Sequence, residues 1–354
     1  MKIWTSMDVN KVYIMMGFHC NFHCRYCVQH NTKLEDTSVT KASDKLIKYL
    51  KRIYNTKPNN AKNKISIVFW GGEPLLYFNT IKDIISRLNG YNFKYGTVTN
   101  GYLLTQEIVD YFNKHNFMVS ISNDGIYTNN TRNINVLEND KILSLIKQLN
   151  NVSINSVISA YNQDFLATSK YIKDIFKDKP VGLNWEWLMC DKDTVSDLYN
   201  IDLNKFALDT KKFFQEAKKN LISDTLTPEL IFINNYLKRV HRLQIEELDL
   251  YPACSPIRRV MNIDLDGNCY ACHPGAKIGD VNTPHEEMLK IYQNKFNNRF
   301  SSADCSHCEY VYICKAGCPL ENICEGKIII CKAKRIFYKE LLLFIKSFGG
   351  LIDD

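Results

Sequence analysis

The stretch Cys20-Asn21-Phe22-His23-Cys24-Arg25-Tyr26-Cys27 decides how this chain is read. It places three cysteines at C-x3-C-x2-C spacing just after the apolar run Val12-Tyr13-Ile14-Met15-Met16. An iron–sulfur cube is normally held by four cysteines, so a local set of three leaves one iron without a protein ligand. Such an iron can bind a small molecule and pass it an electron. A zinc knuckle or free thiols are the competing readings. Zinc draws on C-x2-4-C pairs that recur to give four ligands, whereas the next cysteine after Cys27 is Cys190.

Outward from this loop, strand and helix patterns alternate. Residues 12–16 form a short apolar run, as in a buried parallel strand. Helical spacing follows over 40–54, at Leu46, Ile47, Leu50 and Ile53. Residues 65–70, 95–99, 117–122, 152–158 and 181–188 read as further strands. Segments 76–88, 108–112, 142–149 and 165–175 read as the helices between them. Six βα units in series predict an α/β fold with a parallel sheet and right-handed crossovers. Six are too few to close an eight-stranded barrel. Ligands are expected at the C-terminal ends of the strands.

The chain has 354 residues, 45% of them hydrophobic, and a formal charge of +7. That length exceeds what one core usually supports, which predicts a smaller second domain. No Lys/Arg run exceeds two residues, so no nucleic-acid partner is expected. No run approaches the ~18 apolar residues of a membrane span, and residues 1–11 contain no apolar signal core. The thirteen cysteines are odd in number and follow no export signal. They point to metal sites in a cytoplasmic, reducing setting.

The cysteine loop, with Tyr26 just before the last cysteine, resembles that of the radical S-adenosylmethionine (radical SAM) enzymes. The resemblance implies a partial (β/α)6 TIM-like barrel. It also implies a [4Fe–4S] cluster on Cys20, Cys24 and Cys27 whose free iron chelates SAM, and a 5′-deoxyadenosyl radical that takes hydrogen from substrate. Trp70-Gly71-Gly72-Glu73-Pro74, at the end of the second strand, is similar to the family's GGEP motif for the SAM amino group. Asn100 after the third strand, and Ser122 and Asp124 after the fourth, resemble positions that hold the ribose and carboxylate of SAM. Arg132 resembles an arginine that pairs with the SAM carboxylate. For each of these polar residues an Asx turn, a cap or a surface role is the plain alternative.

In 183–188, alternation puts Leu183, Trp185 and Trp187 on one face and Asn184, Glu186 and Leu188 on the other. An unpaired buried carboxylate is costly, so Glu186 is a candidate substrate or SAM contact if it faces the interior. Residues 191–250 look like surface helices bridging two domains.

From Cys254 the cysteines return: Cys254, Cys272, then Cys305-x2-Cys308-x5-Cys314-x3-Cys318, and Cys331. This layout looks like the SPASM domain, a cysteine-rich C-terminal extension of some radical SAM enzymes. The resemblance divides the chain into a barrel (1–190), a helical bridge (191–250) and an auxiliary-cluster domain (251–354). It implies an outer auxiliary iron–sulfur cluster on Cys305, Cys308, Cys314 and Cys331, and an inner one on Cys254, Cys272 and Cys318. Cys269, three residues before Cys272, would point to the opposite face of a strand and so reads as a packed thiol, the alternative being the fourth ligand of the inner cluster, whose fourth iron is otherwise open to substrate or water. His273 stands where sulfatase-maturating relatives carry an aspartate proposed as the base. A histidine also takes a proton near neutral pH.

The expected activity is hydrogen abstraction from a peptide or protein substrate, with an auxiliary cluster accepting the second electron. The product would be a thioether or carbon–carbon crosslink in a ribosomally made peptide. The alternatives are sulfatase maturation and a non-catalytic electron carrier. Expected partners are a reductant such as flavodoxin or ferredoxin and, with the barrel beginning near residue 11, a separate leader-peptide-binding protein.

Overall fold

The structure, a computed structural model, describes residues 9–29, 41–62, 64–177, 179, 181–190, 193–223, 227–245, 259–272, 275–296, 303–318 and 324–348. Six strands come first: β1 (Lys11–Met15), β2 (Ser66–Trp70), β3 (Lys94–Thr99), β4 (Met118–Ser122), β5 (Asn151–Ile158) and β6 (Gly182–Trp187). The intervening helices are α1 (Asp44–Thr56), α2 (Phe78–Arg87), α3 (Gln106–Lys114), α4 (Asp140–Gln148) and α5 (Phe165–Ile175). Four of the five starts carry the expected polar caps. Ser43, Thr105, Asn139 and Asp164 each accept a bond from a first-turn N–H, which satisfies donors the helix cannot pair itself.

All five strand pairs from β1 to β6 are parallel. Alternation along them divides the sheet into two unlike faces. Ile14, Ile67, Phe69, Val119, Ile121, Ile154 and Leu183 are buried on the face the helices cover. Registered across the other face are Tyr13, Val68 and Gly96 on three strands, and Ser122, Asn155 and Asn184 on the next three. This face is polar toward β6 and is less completely buried. It forms the inner wall of an open α/β arrangement of six units, as the sequence led us to expect.

Two long helices, α6 (Leu203–Ile222) and α7 (Pro228–Ile245), follow β6. They do not merely bridge. Phe213 and Phe232 join Phe165 and Trp185 in one aromatic cluster behind β5 and β6. Phe337 of α9 (Glu325–Lys346) completes it. Among the described residues no helix is long and apolar enough to cross a membrane.

Strands β7 (Val260–Asp264), β8 (Asn268–Tyr270) and β9 (Lys277–Asp280) extend the same sheet, in the order β6-β5-β4-β3-β2-β1-β7-β8-β9. β7 runs parallel to β1, with Tyr13 opposite Asn262. The expected boundary at 251 is therefore no break in the sheet. The C-terminal part adds a hairpin to the free edge of β1. Pairing that edge satisfies a row of backbone groups that exposure would leave open. The edges of the nine-stranded sheet are β6 and β9, so it does not close on itself. A further helix, α8 (His285–Phe296), follows β9.

Candidate functional site

The cysteine loop leaves the C-terminal end of β1 and is laced to the end of β2. Gly72 N–H donates to Gly17 O and Glu73 N–H to His19 O, each at 2.8 Å. The two glycines make this lacing possible. A Cβ on Gly72 would lie 2.1 Å from His19 O, and one on Gly71, whose φ is +143°, would lie 2.5 Å from Gly17 O. Both clashes are with backbone, so no side chain can yield. The first demand on the glycine pair is thus the approach of the cysteine loop itself.

Glu73 is buried at 1% exposure, and its carboxylate is consumed within the chain. It accepts from Leu75 N–H, Thr99 Oγ1 and Asn100 N–H. It caps the one-turn helix Pro74–Tyr77, with Pro74 at its first position. Burial raises its pKa, and the three donors oppose that rise. The side chain therefore clasps the ends of β2 and β3. Asn100 behaves similarly. Its amide donates to Asn21 Oδ1 of the cysteine loop, and its oxygen accepts from Tyr102 N–H.

Asp124 and Arg132 are likewise bonded within the chain. Asp124 is wholly buried. Its Oδ2 accepts from Tyr26 Oη at 2.6 Å, Thr131 Oγ1 at 2.7 Å and Arg132 Nε at 2.9 Å. Its Oδ1 accepts from Val157 N–H at 2.8 Å and Arg132 Nη2 at 3.3 Å. With five donors engaged, this carboxylate has no capacity left for a ribose. Burial works against the Arg132 cation, but Asp124, Tyr26 and Cys24 outweigh it and hold the guanidinium protonated. Arg132 also lies over the Tyr26 ring at 5.1 Å. Tyr26, Asp124 and Arg132 thus anchor the cysteine loop to the end of β4, and a SAM carboxylate would have to compete with Asp124 for the arginine.

Two candidates remain open to a ligand. Ser122 is half-buried on the inner wall, and its hydroxyl has no partner among the described residues. Glu186 is exposed on the same wall beyond Asn184, which donates to Asn155 Oδ1. Trp185, between them, points the other way into the aromatic cluster.

Cys20, Cys24 and Cys27 are half-buried at the loop, and the pKa values of Cys20 and Cys24 are raised first by burial and then in part by neighbouring thiols of the trio. Burial is the larger cause, and it pushes the Cys24 thiol up to about 11. Among the described residues no three His, Cys, Asp or Glu side chains converge as ligands of a single ion. Three grouped, poorly hydrated thiols fit a multinuclear cluster, whose irons each take one thiolate.

In the C-terminal field, Cys314 and Cys331 each feel the charge of Cys305, and Cys331 also that of Cys308. Cys318 lies 3.2 Å from Met189 Sδ. Cys269 is fully buried beside Tyr49 of α1, its thiol pushed up to about 12 first by burial. It packs into the core, as strand alternation predicts. Cys272 is half-buried just beyond β8. Cys254 and His273 lie outside the described residues.

Residue patterns missed one group entirely. Arg25 bonds to Asp197 and Tyr161, 172 and 136 residues away. No local signal marks Asp197 as its partner.

Residues 14–162 match the Radical SAM superfamily model. The chain is 25% identical over 353 residues to the radical SAM cyclopropyl synthase TigE of Paramaledivibacter caminithermalis, covering 90% of this chain and 69% of that protein. It is 26% identical over 174 residues to a cysteine-type anaerobic sulfatase-maturating enzyme of Clostridium novyi, covering 45% of this chain and 44% of that one. The fold is similar to that of anSMEcpe, solved with bound AdoMet and Cp18Cys peptide, at a TM-score of 0.71 and 16% identity over 97% of this chain and 99% of that one. The thiol trio at the end of β1, the glycine lacing beside it and the matched family together make residues 14–162 a radical SAM domain.

Proposed function

We propose that this enzyme is of the SPASM type and oxidatively modifies a side chain or α-carbon of a ribosomally made peptide. One observation carries the reading: a second cysteine group, drawn from Cys305, Cys308, Cys314 and Cys331, gathers in the C-terminal part of the chain, whose three strands extend the sheet that bears the first. When bound, the first cluster and SAM would supply a 5′-deoxyadenosyl radical that removes one hydrogen atom, and auxiliary clusters would accept the remaining electron. On this reading Cys20, Cys24 and Cys27 hold the first cluster, and the C-terminal quartet holds an outer one. Cys272 and Cys318, with Cys254, would hold an inner one.

The chain's own groups have narrower tasks. Tyr26, Glu73, Asn100, Asp124 and Arg132 fix the loop. Gly71 and Gly72 keep backbone groups at the ligand end of β2. Ser122 and Glu186 offer a hydroxyl and a carboxylate on the inner wall, where Glu186 is a candidate contact for a peptide amide or ammonium group. His273 is the candidate proton acceptor.

Anaerobic incubation of the reconstituted protein with SAM and dithionite tests the first half of the proposal. Formation of 5′-deoxyadenosine supports it, and absence from fully loaded protein returns the chain to an electron carrier. For the second half, iron is counted in a triple variant of Cys20, Cys24 and Cys27. Retained iron, at about four per cube, supports auxiliary clusters. A candidate peptide would lose two hydrogens by mass. Sulfatase maturation is the second reading, favoured by the similarity to the Clostridium novyi enzyme. It predicts the same mass change in a sulfatase-derived cysteine peptide, which then becomes the aldehyde on hydrolysis.

A further inference from the structure

We propose that Asp197 and Tyr161 are positioning residues for the first cluster site. They act through Arg25, which they hold in place between Cys24 and Cys27. The proposal rests on the reading that Cys20, Cys24 and Cys27 are the cluster ligands.

Arg25 lies within the cysteine loop, yet its bonds all go to distant loops. Its Nη2 donates to both oxygens of Asp197, at 2.8 and 2.7 Å. Its Nη1 donates to Tyr161 Oη and to Asn130 O, each at 3.3 Å, and its backbone N–H donates to Thr131 O at 2.9 Å. Tyr161 Oη in turn donates to Asp197 Oδ2 at 2.8 Å. Asp197 belongs to the short helix Ser196–Tyr199 after β6, and Tyr161 to the loop after β5. Ala160 N–H donates to Leu198 O at 2.7 Å, so backbone bonding fixes the two supports relative to each other. A loop that starts at β1 is thus fastened to loops that follow β4, β5 and β6.

The same supporting segment borders the C-terminal cysteines. Met189 meets Cys318, and Tyr199 Oη donates to Glu325 Oε2 at 3.3 Å, at the start of α9. Gly326 packs so closely on Tyr199 and Cys190 that a Cβ there would meet both within 3 Å. Asp197 and Tyr199, in one short helix, therefore meet the first cysteine loop and the start of α9 respectively.

The ion pair is poorly placed to serve global stability. The Arg25 and Asp197 side chains are 32% and 48% exposed, and exposed pairs contribute little. What two charges sharing two bonds do supply is direction, because the planar fork accepts one approach of the carboxylate. Groups that orient ligands in this way typically change metal affinity or activity by about 10–100-fold when removed.

The test uses the full chain, reconstituted anaerobically, as wild type, Asp197→Ala, Tyr161→Phe, Arg25→Lys and Cys24→Ala. Three quantities are read: the change in the reduced-cluster EPR signal on adding SAM, the KM for SAM, and amide exchange over residues 20–27 in iron-free protein. Asp197→Ala and Arg25→Lys are expected to raise the KM for SAM about tenfold or more and to speed exchange across 20–27. Tm should move by less than about 3 °C. The Arg25→Lys/Asp197→Ala double variant should be no worse than the poorer single, since both weaken one interaction. Tyr161→Phe should give a smaller effect of the same kind. A wild-type SAM response in Asp197→Ala, or a loss matched by a large fall in Tm, overturns the proposal. Cys24→Ala must abolish the SAM-dependent signal. If it does not, the assignment of the ligands fails, which is separable from failure of the latch.

Discussion

The two cysteine fields are built in opposite ways. Around Cys20, Cys24 and Cys27 the protein has already made its bonds: glycine lacing to β2, Asn100 to Asn21, Tyr26 to Asp124, Arg25 to Asp197. Around Cys305, Cys308 and Cys314 there are two one-turn helices, Ala303–Ser306 and Val311–Cys314. Lys315, Ala316 and Gly317 follow, all with positive φ. In 305–318, among the described residues, only Tyr310 and Ile313 are buried side chains. The first site is preorganised by its own fold. The second lacks the apolar burial to hold itself, and segments of that kind are commonly stabilised by metal.

The largest expected effect follows directly. Chelating iron should raise amide exchange across 303–318 to near the free-peptide rate, while β1–β6 stay protected. α9 should also stay protected, because Phe337 and its ring partners are each worth roughly 1.5–3 kcal/mol of burial without any metal. Equal loss in both fields would erase the contrast.

Next comes Asp124→Asn, which leaves the buried Arg132 without its counter-charge. Breaking such a pair costs about 3–5 kcal/mol, measurable by urea unfolding of the metal-free protein. Glu73→Gln should cost less, about 1–3 kcal/mol. The amide nitrogen cannot accept, so one of the Leu75, Thr99 and Asn100 donors is left unpaired.

A pH experiment sharpens the comparison at the first field. Burial lifts the Cys24 thiol from its ordinary 9.0 to about 11. An acid whose folded pKa is raised supports the fold below its unfolded pKa and loses that support as pH rises through the folded one. Metal-free protein should therefore be steady below pH 9 in this respect and lose stability toward 11. The rate of iodoacetamide labelling of Cys24, which needs the thiolate, should reach half its maximum near pH 11.

The smallest effect on stability belongs to Glu186→Gln. The side chain is exposed and bonds to no described residue, so its unfolding free energy should stay within about ±0.5 kcal/mol. Peptide turnover should fall if the carboxylate meets substrate. Unchanged turnover would remove Glu186 from the site.

The strands and their order were legible because their signals are local. Residues 12–16, 65–70 and 165–175 carry runs and periodicities that no tertiary partner needs to complete. The cysteine spacing was legible for the same reason, since neighbours in sequence share a loop. Roles of the polar residues were not. Asp124 and Arg132 read as ligand contacts because a sequence shows that a charge exists, not whether another charge has already claimed it.

By itself, then, the chain's order of residues determined six βα units, a loop of three thiols and a second cysteine field. These rest on periodicity and spacing, which are properties of the unfolded string as much as of the folded one. Only the tertiary structure decided that β7 pairs with β1, that Glu73 and Asp124 face inward, and that Arg25 meets Asp197. Each joins segments far apart in sequence, and the meeting is set by the desolvation of whole surfaces, which no single residue announces.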